Sequence, residues 1–184
     1  MTSIIKVDNI QHSSGTNALT TDSNGVVSRS LVPAFFLTLG TSADTRTATT
    51  EAAIPFAVQS DSGSNSTYIQ GSMTVSNGVV TVPKTGVYYF NAVARLDSVV
   101  QGNWARIGLS TDGETLFNSA NTYQTLRLNP TSLGTSYGAY EPFCVSAVLK
   151  LNANQTIEVR ASTYTDTAWS VSAYDSHFTG YFIG

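Results

Sequence analysis

Two histidines, one cysteine and twelve carboxylates are the side chains with which this 184-residue chain would have to build a catalytic centre. A Ser-His-Asp arrangement would need His177, because His12 lies far away in the opening segment. His177 stands beside Phe178 in an apolar terminal stretch, which is a packing context. Cys144 follows Phe143 in a strand-like stretch, and burial as a small hydrophobe is its expected role. Among the acids, Asp112 and Glu114 are close in sequence, and Gly113 between them marks a turn. Solvated turn acids are the simpler reading there, with a weak cation site as the alternative. There is no phosphate loop, no glycine-rich dinucleotide turn and no His/Cys cluster at metal-ligand spacing. The expectation is a chain with no catalytic residue and no cofactor; a structural cation stays open.

Recognition chemistry is better represented. The stretch 129–140 is long and turn-rich and carries Tyr137 and Tyr140. A second such stretch carries Tyr164, Asp166 and Trp169. Exposed aromatic rings stack on the apolar faces of sugars while neighbouring polar groups bond hydroxyls. These five residues are therefore the candidate ligand-binding loops; the alternative is that their rings pack back onto the domain. Trp104 lies off the apolar face of its strand and reads as an interface residue, a core residue of another sheet or a ligand contact. Tyr89, Trp104 and Tyr181 are the candidate contacts between copies. Arg95, Arg106 and Arg160 fall on the less apolar faces of their strands, where solvation explains them; in an assembly they could pair with Glu158 or Asp97 of a neighbour.

The elements that must position these groups are strands. Charged residues are 11% of the chain, less than half the usual share of about 25%. Ser and Thr fill the gap with 48 residues, against three Lys and four Glu. Helices solvated by Lys and Glu cannot be built from this composition, whereas hydroxyl-covered strands can. A net charge of −3 lacks the basic footprint of a nucleic-acid binder. No apolar run reaches the ~20 residues of a membrane-spanning helix. The opening Met1–Asp8 lacks the basic and apolar regions of a secretory signal.

Residues 1–32 and 33–184 differ in kind. The first part sets short apolar clusters (Ile4, Ile5, Val7, Ile10; Leu19; Val26, Val27) between turn signals, including Asp22-Ser23-Asn24-Gly25, and Asn-Gly is a strong hairpin marker. It predicts two or three short strands that cannot form a core alone; Ile4, Ile5, Val7, Ile10 and Leu19 are candidate attachment residues to another chain. In the second part, period-two alternation recurs. Tyr88, Phe90, Ala92 and Ala94 share one face of a long strand, with Tyr89, Asn91 and Val93 on the other. Phe178, Gly180 and Phe182 alternate with His177, Thr179 and Tyr181. Both faces of the long strand carry apolar groups, so both are expected to be covered. An all-β, ten-stranded antiparallel sandwich is predicted.

Several pieces of residues 33–184 match a known pattern in order: Pro33-Ala34-Phe35, Ile54-Pro55-Phe56, Pro83-Lys84-Thr85-Gly86-Val87-Tyr88-Tyr89-Phe90, Ser146 to Leu151, and His177-Phe178-Thr179-Gly180-Tyr181-Phe182. This resembles the globular domain of complement subcomponent q and the related tumour-necrosis-factor-like domains. The resemblance implies a jelly roll assembled as a homotrimer. Where that family usually has Leu-x-x-Gly-Asp, this chain has Leu151-Asn152-Ala153-Asn154-Gln155, a turn still open to Asn through positive φ. The opening, Ser3 to Gln11 with Gly15-Thr16, Ala18-Leu19-Thr20 and Asp22 to Val27, is similar to the N-terminal segment of tail-fibre-like virion proteins of marine bacteriophages. Together the two resemblances imply a virion surface protein, exposed on the particle, whose trimeric head recognises a host-surface glycan or protein and whose residues 1–32 join another virion protein. The alternatives are a capsid-decoration, head-fibre or tail component with no ligand of its own, and a non-viral trimeric binding module.

Overall fold

The computed structural model of the chain describes residues 9–11, 17–21, 23–24, 27–29, 32–47, 51–59, 67–98, 105–116, 122–128, 142–163 and 168–184. It divides into two units, Met1–Val32 and Pro33–Gly184. No helix occurs among the described residues.

In the first unit, β1 (Asn9–Gln11), β2 (Asn17–Thr21) and β3 (Val27–Arg29) form an antiparallel sheet in that order. Ile10 sits in register with Leu19, and Ser23 and Asn24 lie in the turn between β2 and β3. Ile4, Ile5 and Val7 lie outside the described residues.

The second unit holds β4 (Ala34–Thr38), β5 (Asp44–Arg46), β6 (Ala52–Ala53), β7 (Tyr68–Gln70), β8 (Thr74–Ser76), β9 (Val79–Thr81) and β10 (Gly86–Asp97). It continues with β11 (Ala105–Thr111), β12 (Thr122–Leu128), β13 (Pro142–Leu151), β14 (Thr156–Thr163), β15 (Trp169–Val171) and β16 (His177–Phe182). One sheet runs β5-β15-β10-β16-β4-β7, with β13 on the other edge of β10; the second runs β12-β11-β14-β9-β8, with β6 on β14. The chain crosses between sheets at β5 to β6, β6 to β7, β7 to β8, β9 to β10, β10 to β11, β12 to β13, β13 to β14 and β14 to β15, which is a jelly-roll path. The described strands of this unit exceed the expected ten by three. Short strands account for the surplus: β6 pairs with Arg160 and Ala161 of β14, β15 pairs with Leu96 and Asp97 of β10, and β5 pairs with β15.

The long strand β10 explains the layering. Tyr88, Phe90, Ala92 and Ala94 point into one shared core with Phe35 and Phe178 from its own sheet and Ile107, Leu109 and Val159 from the opposite one. The Phe35 and Phe178 rings meet edge to face at 4.8 Å, a geometry that adds about 0.5–1.5 kcal/mol beyond burial. Gly180 makes room for this cluster, since a Cβ there would stand 2.5 Å from the Phe90 ring and 2.8 Å from that of Phe35. The Pro83–Gly86 turn is closed by Tyr88, whose hydroxyl donates to the Lys84 carbonyl at 2.6 Å. The Asn152–Gln155 turn forms with Asn154 at φ 70, as Asn permits.

Candidate functional site

The outward face of the first sheet is organised in cross-strand rows. Because side chains alternate along a strand, packing Tyr88, Phe90 and Phe178 inward forces Tyr89, Asn91, Val93, His177, Thr179 and Tyr181 outward. Register then aligns them. Val148, Tyr89 and Tyr181 form one row; Ser146, Asn91, Thr179, Phe36 and Tyr68 form the next; Cys144, Val93, His177 and Thr38 form the third. The rings of Tyr89 and Tyr181 lie 5.3 Å apart, and those of Phe36 and His177 5.5 Å apart. Val148 remains 61% exposed, Tyr181 48% and Tyr68 44%, with Ile183 exposed nearby. Exposed apolar side chains set side by side on one sheet face are what an interaction surface requires. The middle row adds neutral hydrogen-bonding groups: Thr179 donates to the Phe35 carbonyl, and the Asn91 amide donates to Cys144 Sγ.

With this geometry in hand, comparison with known proteins identifies the fold. No family profile matches the chain, and no curated protein matches it. Among solved structures, the crystal structure of murine APRIL at pH 8.0 superposes with a TM-score of 0.56, at 12% identity, over 83% of this chain and 100% of that one. The chain thus has an all-β jelly-roll fold of the tumour-necrosis-factor-like kind.

The candidate interface residues Tyr89 and Tyr181 are brought together as neighbours, while Trp104 lies outside the described residues. Of the candidate ligand-binding residues, Tyr137, Tyr140, Tyr164 and Asp166 lie outside them too. Trp169 corrects the sequence reading: it is 1% exposed and belongs to the core, not to a displayed loop. It starts β15, where Trp169 pairs with Arg46 and Val171 pairs with Leu96, and the Arg46 guanidinium lies 5.4 Å over its ring. Cys144 is also corrected. It is exposed because Phe143 and Val145 point into the core.

The arginines differ from expectation as well. Arg106 is buried, not solvated. On the outward face of the second sheet its guanidinium donates to Glu51 Oε2 at 3.2 Å, to the Leu116 carbonyl at 3.0 Å and to Ser162 Oγ at 3.4 Å. Glu51 Oε1 accepts from the Leu116 amide and lies 3.6 Å from Arg160, which also pairs with Glu158. Arg95 pairs with Asp97 and Asp175 of its own chain. This Glu51–Arg106–Arg160–Glu158 cluster, with Arg106 and Glu158 buried, was not anticipated. Its signal was present, since a chain so poor in charge places Arg106, Glu158 and Arg160 in mid-strand. Asp112 closes a turn by accepting from Gln155 Nε2 and the Thr156 amide. Among the described residues no three His, Cys, Asp or Glu side chains gather as a metal site.

Proposed function

We propose that the chain is a non-catalytic virion surface protein of a bacteriophage. In this reading residues 33–184 form a homotrimeric head that recognises a host surface, and residues 1–32 join it to another virion protein. The observation that carries the reading is the outward row of Val148, Tyr89 and Tyr181. Its apolar atoms are left in water by one copy and can be dried by sibling copies, which releases about 25 cal/mol per Å². Tumour-necrosis-factor-like domains are homotrimeric, which supports three copies as the number. The virion role is supported by the likeness of the opening segment to phage virion proteins. Three copies would present each recognition surface in triplicate, so weak single contacts gain about 10²–10⁴ through effective concentration.

The test is removal of residues 1–32. The shortened chain should remain folded and trimeric by light scattering, yet be missing from particles assembled during infection. Particles that still incorporate the shortened chain would refute the attachment role.

A further inference from the structure

At the His177 end of the same sheet lies a cavity of about 300 Å³, at the lower bound of ordinary small-ligand sites. Tyr181 and His177 are four residues apart on β16, about 13 Å, so this cavity occupies the opposite end of the face from the paired tyrosines. Two of its walls are aromatic, Phe36 and Tyr174, and its remaining hydrogen-bonding groups come from Thr38, Gln59, Ser176 and His177. None of the side chains lining it carries a formal charge when the imidazole is neutral. Burial pushes His177 below its ordinary value, which favours that neutral form.

The polar groups are held in place before any ligand arrives. The Gln59 amide donates to the carbonyls of Thr38 at 3.1 Å and Ala57 at 3.4 Å. It can lie there because residue 40 is glycine at φ +76: a Cβ would stand 2.5 Å from Gln59 Oε1. Ser176 Oγ accepts the Arg95 amide at 3.0 Å, which leaves its own hydrogen free to donate. The adjacent Asp175 carboxylate is engaged by Arg95. At the rim, Tyr174 is 83% exposed, a flat ring in water beside a set of neutral donors and acceptors.

We infer that this cavity binds a neutral sugar ring, with Tyr174 stacking on its apolar face and Thr38, Gln59, Ser176 and His177 bonding its hydroxyls. The inference rests on the recognition role proposed above and gives that role a site and a ligand class. Uncharged polyols match the lining, whereas an anionic ligand would find no cation in it. A panel of methyl glycosides of neutral hexoses and N-acetylhexosamines, titrated against the full chain and followed by NMR, tests it. A saturable response should appear at millimolar concentration. Tyr174→Ala should weaken it by about tenfold, and Tyr174→Phe should retain most of it; Tyr174 is exposed enough that neither change disturbs the core. The inference is overturned if no glycoside gives a saturable response, if Tyr174→Ala binds as tightly as the parent, or if a sialoside binds better than every neutral glycoside. Light scattering on the same samples separates the two readings: a monomer that still binds through Tyr174 refutes the trimer and supports the site, while a trimer that binds no glycoside does the reverse.

Discussion

Replacing Tyr181 by Glu should dissociate the assembly and leave the fold intact. A fully buried aromatic side chain hides roughly 150–250 Å², and Tyr181 is 48% exposed in one copy, so about 70–120 Å² awaits burial. At about 25 cal/mol per Å² this amounts to ~2–3 kcal/mol per copy, or ~6–9 kcal/mol over three. The trimer association constant should therefore fall by about four to six powers of ten, before the added cost of desolvating a carboxylate. Light scattering across a concentration series reads this directly. The parent should hold a mass three times the 19.5 kDa of one chain, and Tyr181→Glu should give the single-chain mass at the same concentrations. Because the substituted position faces solvent, the unfolding free energy extrapolated to the monomer should change by under about 1 kcal/mol. Unchanged mass in Tyr181→Glu, or a parent that is monomeric throughout, would refute the assignment of this face.

Two further outcomes follow from the described contacts. Glu51→Ala removes the carboxylate that Glu51 sets against the buried Arg106 guanidinium and should cost about 3–5 kcal/mol in denaturant unfolding, whereas Glu51→Ala with Arg106→Met should recover part of the loss; a single-variant cost below about 1 kcal/mol would contradict the cluster's role. His177, held by burial below its ordinary 6.5, is protonated more readily in the unfolded chain, so stability is full above that value and declines as pH falls through it toward the lower folded value. His177→Gln should flatten that decline in a series of thermal melts, and an unchanged slope would show that other groups cause it.

The periodic parts of this fold were legible in the residues. The phase of β10, the turn Pro83–Gly86 and the inward Phe178 and Gly180 of β16 all follow from alternation and local turn chemistry. Cys144 was legible too: Val145 and Leu149 set the phase of β13, and that phase turns Cys144 outward. Expecting burial there weighed residue type above strand phase. Trp169 was not legible. Its strand is three residues long, and its partners come from Asp44–Arg46 and from Leu96 and Asp97, which no local pattern connects to it. Arg106 likewise meets Glu51 across 55 positions of sequence. The cavity beneath Tyr174 gathers residues from four separate stretches, 36–40, 59, 173–174 and 176–177, whereas the sequence pointed to loops for ligand contact.

The two sheets present opposite chemistry outward, and that difference gives association a direction. On the second sheet, Arg106 and Arg160 balance Glu51 and Glu158, and the pairs are satisfied within one chain. Among the described residues, a neighbour placed there meets charges that already have partners. On the first sheet, Val148, Tyr89 and Tyr181 offer apolar area together with the neutral groups of Asn91 and Ser146. Substitutions on the two faces should therefore separate two observables. Tyr181→Glu should change mass with little effect on monomer stability, and Glu51→Ala should change stability while the folded fraction keeps its mass. If the effects were exchanged, the second sheet would be the contact surface, and the ion pairs now assigned to holding one chain together would have to form between chains.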